Sequence, residues 1–399
     1  MRIFYASSPT PDAHFRSRIW HNNLYLPLKD LGHDVVEFRY DLRRTFRYLE
    51  ASDPIQASFI KKNKVRLTNA LLKQIKAAHK RKPVKLFFSY LCDSCIFPEA
   101  IDEIRSMGIV TVNWYCNGSY QLYQVAEISP HYDWCLVPEK FRIQDYLSMG
   151  ANPIYCQEAA NPNIYRPCDV LKEFDVSFVG QAYGNRPEYI QYLVDREIKV
   201  RVWGNGWQYL SSELRQANQH FLKRLLRLGQ KLLRPEEWRE LWLRFQLFKT
   251  VQNETAIGDI PSQDVPSIDL PAKIVGGILS DRAMIDLYSR SKINLGFSTC
   301  GNTHLAEKRI LQIRLRDFEV PMSGGFYMVE YMEELEEFFT IGEEIVCYTD
   351  PEDLADKIRY YLAHDEERER IRLAGMRRAR GEHTWHQRFQ AVFQEIGLD

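Results

Sequence analysis

Residues 314–326, RLRDFEVPMSGGF, gather two arginines, an aspartate, a glutamate, a proline and a glycine pair into one short span. Together these suit a ligand that carries phosphate. Pro321 is poorly tolerated deep in a helix and acceptable in its first turn, so a helix here is expected to start near Asp317. Its free N–H groups would then lie near 316–320, a natural seat for a phosphate. Gly324 and Gly325 would end the helix tightly or let the backbone approach something closely. Glu319, at the positive end of the helix dipole, would stay ionised beside that seat, as the hydroxyls of a ribose require. The same residues also read as a short surface helix with ordinary ion pairs.

The elements that must position this stretch alternate along the chain. Strand patterns at 2–6, 35–38, 84–90, 109–114 and 134–137 are separated by helical patterns, the longest at 55–81. Strands alternating with helices predict a parallel sheet, with ligands at the carboxyl ends of its strands, which carry Ser7, Asp93 and Asn117. Ser8 to Asp12 contains no glycine and is not a G-x-G-x-x-G dinucleotide loop. The Asn- and Pro-rich stretch at 159–167 reads as a hinge. Beyond it a second series runs through strands at 175–179, 200–203, 273–279, 292–297 and 344–348, and helices at 281–289, 330–339, 366–380 and 385–396. This gives an N-terminal unit at 1–165, a C-terminal unit at 166–382 with an insert at about 208–270, and a final helix at 383–399 expected to pack back on the first unit.

Composition narrows the class of function. Lys plus Arg and Asp plus Glu both number 53, so the net charge is zero and a global polyanion binder is disfavoured; no nucleic acid is expected. The chain opens straight into a strand pattern and has no apolar run of spanning length, which reads as cytoplasmic. The insert is amphipathic: within 208–250, basic residues outnumber acidic ones nine to four. It fits a peripheral membrane-surface hairpin or a lid on its own domain, bordering an acceptor cleft or a membrane face. Cys92 and Cys95 make the lone C-x-x-C among eight cysteines, which are read as reduced, packed thiols; no metal is expected.

The chain resembles a GT-B glycosyltransferase, and in particular the CgeB-type (spore maturation protein) branch of the group-1 glycosyltransferases. The motifs that carry this are DVSFVGQAYGNRPEYI at 175–190, WGNGW at 203–207, GGILSDRAMIDLYSRSKINLGFS at 276–298, QIRLRDFEVPMSGGFYMVEYMEELEEFF at 312–339 and EEIVCYTDPEDLADKIRYYL at 343–362. The resemblance implies two Rossmann-like domains facing across a cleft, with a nucleotide-sugar donor on the second. It implies that Glu319 holds the ribose, and that Gly180, Arg186, Gly204, Gly206, Arg316, Gly324 and Gly325 belong to the donor site. The usual Gly-Arg pair departs here, since Gln181 follows Gly180, while Arg186 falls at the position of a phosphate-gripping lysine. Retaining relatives carry a second glutamate where this chain has Leu311.

The function this implies is metal-independent transfer of a sugar from a nucleotide sugar to a hydroxyl of a cell-surface glycan, lipid-linked or protein acceptor, as in polysaccharide biosynthesis. His14, Asp93 and Asn117 are the candidates on the first domain to orient or deprotonate that hydroxyl. A sugar-nucleotide epimerase on the same fold, and a non-catalytic binding or assembly protein, are the alternatives.

Overall fold

The computed structural model describes residues 1–7, 17–51, 53–217 and 268–398. Two parallel sheets organise it, as the alternation of patterns predicts. The first holds β1 (Arg2–Ala6), β2 (Asp34–Glu37), β3 (Leu86–Ser89), β4 (Val110–Trp114), β5 (Trp134–Val137) and β6 (Pro153–Tyr155), in the order β2-β1-β3-β4-β5-β6. The second holds β7 (Phe174–Val179), β8 (Val200–Trp203), β9 (Ser291–Gly296), β10 (Tyr327–Glu330) and β11 (Val346–Tyr348), in the order β11-β10-β9-β7-β8. Parallel strands covered on both faces read as continuous apolar runs; LFFS in β3 and YMVE in β10 are buried at every position. Counted from its own first strand, the second sheet repeats the order of the first. In each, the order reverses between the first and third strands, β1 and β3 or β7 and β9, and such reversals open the crevice where ligands bind.

The chain crosses between the halves twice, at neighbouring places. Ala160 pairs with Thr384 in a parallel bridge, and Asn161 is fully buried, its side chain donating to the Asn22 carbonyl. After the second crossing, Thr384 caps helix Trp385–Glu395 by accepting from the Gln387 amide. This helix buries Trp385, Phe389, Val392 and Phe393 in the core of the first sheet, with Trp385 edge-on to Trp114 at 5.2 Å. The core of the first half therefore depends on the chain's return at the second crossing.

Several elements differ from the sequence reading, which did not list β6 and β10 as strands. The strand expected at 273–279 shrinks to a 3₁₀ turn, Ala272–Ile274, and a single bridge from Val275 to Val202. The helix expected at 330–339 begins as the end of β10 and continues as a 3₁₀ turn, Glu333–Glu337; one such turn already buries Leu335, Phe338 and Phe339. Of the insert, 218–267 lies outside the described residues, as does His14. Among the described residues no helix is long and apolar enough to cross a membrane. All eight cysteines are free thiols, Cys92 and Cys95 buried with their Sγ atoms 3.2 Å apart.

Candidate active site

At the β7/β9 reversal, three arginines converge. The loop after β7 leads into helix Arg186–Asp195, whose first residue is buried. Arg186 donates through Nη1 to the Gln181 carbonyl at 3.1 Å and through Nη2 to the Tyr183 hydroxyl at 2.8 Å. Its guanidinium also stacks 3.8 Å from the centre of that ring, and its Nε has no partner. Arg314 donates through Nε to the Phe297 carbonyl at 3.0 Å and through Nη2 to the Thr299 carbonyl at 2.8 Å, just past β9. Arg316 donates to the Tyr288 hydroxyl at 3.2 Å and lies 3.4 Å from Glu319 Oε1. A Cβ on Gly180 would stand 2.5 Å from the Phe178 ring and 3.1 Å from Arg316 Nη1, so the absence of a side chain there leaves the guanidinium its space.

Tyr183 reports the field these groups make. Burial would push its phenol up, yet Arg186, Arg314 and Arg316 together pull it below its ordinary value. Burial also pushes Arg186 down to about 10, with Arg314 and Arg316 repelling in the same direction. The bonds of Arg186 go to a carbonyl and a phenol, which aim the cation without neutralising it, whereas neighbours that include Asp317 hold Arg314, and neighbours that include Glu319 hold Arg316, above the ordinary value against burial. An uncompensated buried charge costs several kcal/mol, on the order of 3–5 where a partner has been removed, and a bound anion offsets that cost.

The stretch at 314–326 is built differently from its sequence reading. The helix is Leu315–Met322 and starts two residues before Asp317. Asp317 turns back on the helix start, its Oδ2 accepting from the Arg314 amide at 2.7 Å and its Oδ1 from the Tyr327 hydroxyl at 2.5 Å. A carboxylate thus stands at the helix start, and the positive seat comes from guanidiniums instead of amides. Pro321 is in the last turn, where the helix closes through Gly324 N–H to the Pro321 carbonyl and Gly325 N–H to the Val320 carbonyl. Gly324 has φ +73°, and a Cβ there would meet Pro167; on Gly325 it would meet Asn294 and Val320. Both glycines serve the helix end and its packing. Glu319 lies mid-helix, 1% exposed, with Oε1 accepting from the Tyr288 hydroxyl at 2.7 Å and Oε2 without a partner. Gly204 and Gly206 pack against the loop after β7: a Cβ on Gly204 would fall 2.1 Å from the Gly180 oxygen, one on Gly206 3.1 Å from the Ala182 side chain. Leu311 pairs with Thr299 in an antiparallel bridge.

On the first half, Asp93 proves to be a turn residue, accepting from the amides of Glu127 at 3.1 Å and Ile128 at 3.0 Å; burial pushes it up to about 6. Asn117 precedes the short helix Gly118–Gln121 and donates to the Tyr90 hydroxyl at 3.3 Å. Two buried carboxylates of the first half that interact with groups of the second were passed over by the sequence reading. Glu139, two residues past β5, is 2% exposed; its Oε1 accepts from the Ser119 amide at 3.1 Å and Gln312 Nε2 at 3.4 Å. Its Oε2 has no partner, and burial pushes the carboxyl up to about 7. Burial and the Glu139 charge push Glu158 up to about 8. Gln312 reaches across from the second half, also donating to the Cys116 carbonyl at 3.0 Å and accepting from Ser119 Oγ at 2.9 Å. Glu330, also overlooked, accepts from the amides of Ser298 at 2.9 Å and Thr299 at 2.8 Å and pairs with Arg309, fixing the loop whose carbonyls aim Arg314. The position of Glu139 past a strand's carboxyl end was a readable signal; Glu330 ends a strand that the sequence reading took for a helix, and Gln312 carried no signal. Among the described residues no three His, Cys, Asp or Glu side chains gather as metal ligands.

Two doubly wound parallel sheets in this arrangement match solved structures along nearly their whole length. Sucrose-phosphate synthase from Thermosynechococcus elongatus superposes with a TM-score of 0.56 at 11% identity, over 99% of this chain and 98% of that one. Anabaena Alr3699/HepE in complex with UDP-glucose gives 0.55 at 11% identity, over 100% and 99%. The fold is GT-B. A glycosyltransferase from Rickettsia africae shares it, at 0.52 and 10% identity over 99% and 98%. Residues 255–394 match the family model described as glycosyl transferase-like. No curated protein matches the chain. In this GT-B chain the three arginines therefore occupy the second domain, and Glu139 and Glu158 lie on the first, across the cleft.

Proposed function

We propose that this protein is a glycosyltransferase that moves a sugar from a nucleoside diphosphate sugar to an acceptor hydroxyl. The observation that carries the reading is the convergence of Arg186, Arg314 and Arg316 on Tyr183 at the β7/β9 reversal. Guanidiniums fixed in advance bind a diphosphate and stabilise the charge that grows on it as the glycosidic bond breaks. They supply that positive charge themselves, so this reading needs no metal ion. The unpartnered Oε2 of Glu319 is suited to accept a bond from a ribose hydroxyl. The motifs quoted above favour the CgeB-type branch, and a glycan, lipid-linked or protein acceptor facing the first domain. The amphipathic 208–250 stretch is assigned to the acceptor side or a membrane face.

UDP and UDP-glucose are the first ligands to titrate, since the HepE structures hold them. Calorimetry should show UDP binding to the wild type. Arg316→Ala and Glu319→Ala should each weaken it by about 10- to 150-fold, the loss of one hydrogen bond to a charged group. Folded variants that bind UDP as the wild type does would remove these residues from the site, and a wild type that binds no nucleoside diphosphate would refute the reading.

A further inference from the structure

We infer that the helix Pro54–Arg81 is a membrane-docking face, whose stripe of lysines and arginines lies on an anionic lipid surface. This goes beyond the glycosyltransferase reading and does not depend on it.

The helix is segregated by charge. Its 28 residues hold eight lysines and arginines and no aspartate or glutamate, in a chain whose net charge is zero. At 3.6 residues per turn, Ile55, Lys62, Arg66, Lys73, Lys76 and Lys80 fall within an arc of about 100°. All six are exposed, while the opposite side buries Leu67, Leu71, Ile75 and Ala78 in the core of the first sheet. At 1.5 Å per residue the helix is about 42 Å long, so the stripe is straight and extended.

A solvated helix ordinarily mixes its charges, and this chain supplies the comparison. Helix Asp365–Glu382 carries six arginines and five acidic residues, and ties them into the pairs Arg368–Asp365, Arg370–Glu367, Arg372–Glu369 and Arg378–Glu382. Pro54–Arg81 has no acid with which to form such a pair. Lys64 and Lys76 pair outward with Glu127 and Glu103, whereas Lys62, Arg66, Lys73 and Lys80 have no ion-pair partner among the described residues. Lys62 with Arg66, and Lys76 with Lys80, are like charges four residues apart, which weakens a helix standing alone. An anionic surface laid along the stripe offsets that repulsion.

Apolar side chains stand in and beside the stripe and decide the class of anion. Ile55 is 81% exposed and Val65 45%. Phe97 is exposed beneath Lys64, whose Nζ lies 4.9 Å from the ring centre. At the other edge the exposed Arg44 lies 4.8 Å from the centre of the Phe59 ring and adds a cation. A leaflet accommodates both kinds of group, since its headgroups meet the charges and its acyl boundary takes the apolar side chains. A nucleic acid would engage the cations and leave Ile55 in water. Helix Pro98–Ser106 packs alongside with Glu99, Asp102 and Glu103, and bounds the lipid-facing surface on that side. Because Pro54–Arg81 follows β2 and precedes β3 in a parallel sheet, its Ile55 end lies at the carboxyl side of the strands. That is the side to which the acceptor is assigned, so under the glycosyltransferase reading a docked membrane favours the lipid-linked acceptor.

The test uses the full-length protein, sedimented with vesicles of phosphatidylcholine alone or mixed equally with phosphatidylglycerol. The protein should bind the mixed vesicles and leave the phosphatidylcholine vesicles unbound. It should be released as salt rises from about 0.1 to about 1 M, where the screening length falls from about 10 to about 3 Å. Each cation near an anionic leaflet strengthens binding by roughly fivefold, so the combined variant Lys62→Gln, Arg66→Gln, Lys73→Gln and Lys80→Gln should lose about 100- to 1,000-fold. Glutamine is a good helix former and removes the like-charge neighbours, so this variant should melt no lower than wild type. If it does not fold, Lys62→Gln with Arg66→Gln decides the matter, with an expected loss of about 30-fold. Absence of binding to the mixed vesicles, equal binding to both compositions, or undiminished binding by the folded variants would overturn the inference. Binding of a DNA duplex without binding of the mixed vesicles would overturn it in favour of nucleic acid.

Discussion

Arg186 holds a charge where burial opposes it, and its neighbours Arg314 and Arg316 oppose it further. A charge so placed is costly unless something anionic lies beside it, and under the proposed reading that anion is the diphosphate. The carboxyls across the cleft show the converse effect, and Glu158 makes it measurable. Its carboxyl is pushed from 4.5 to about 8 by burial, with Glu139 adding to the shift. A raised value means the fold prefers the protonated form. Its contribution is complete below the unfolded value and is lost as pH rises through about 8. Glu158→Gln carries a neutral side chain of the same shape and should remove that loss. By calorimetry the variant should melt above wild type at pH 8, by an amount on the order of 1.4 kcal/mol for each unit of the shift, and with it at about pH 4. Equal melting at both would show that Glu158 is ionised in the fold without penalty.

At the scale of elements, the site depends on two loops held against each other after β7 and β9. Gly184, at φ +61°, brings the first loop so close to the second that a Cβ would stand 2.4 Å from the Gly301 oxygen. The loop after β8 supports the first from behind: Gly204, at φ +137°, touches the Gly180 carbonyl, and Trp207 Nε1 donates to that same oxygen at 2.7 Å. Gly204→Ala would have to displace backbone that leaves room for Arg316. It should cost about 1–3 kcal/mol in urea unfolding, as overpacking generally does, and weaken UDP binding at a site it does not touch. A variant as stable as wild type would show that the loop has slack.

For the whole molecule, the two halves are bound by more than the chain crossing at 160 and 384. Asp281 accepts from the Arg18 amide at 2.9 Å and Asn22 at 3.0 Å, Tyr155 donates to Glu334 at 2.7 Å, and Gln312 spans the cleft itself. The last helix extends this dependence, since Trp385 completes the core of the first sheet from the far end of the chain. Trp385→Ala should destabilise the protein by about 3–5 kcal/mol, as large-to-small changes at buried aromatics do. Because the helix joins both halves, chemical denaturation should show the loss in the unfolding of the first sheet. A loss below about 1 kcal/mol would mean that the helix rests on the core without completing it.

The alternation of apolar runs with helical patterns was enough to determine two parallel sheets, because a strand covered on both faces must be apolar throughout and a crossover needs a helix. The stretch at 314–326 stood out through its own charges, proline and glycine pair, and the loop after β7 through the resemblance of its motif. Roles within those stretches were not legible. Pro321 pointed to a helix start near Asp317, but a proline in the last turn of an eight-residue helix is tolerated, and Asp317 folds back onto the start. Asp93 follows a strand end where a group that orients or deprotonates a hydroxyl could stand, and in the fold it accepts from two backbone amides. Glu139 and Gln312 are 173 residues apart and meet only because two sheets with the same strand order face one another. Local sequence determines which residues reach a strand's end. Which of them keep a free oxygen or an uncompensated charge depends on what the other half of the molecule places against them.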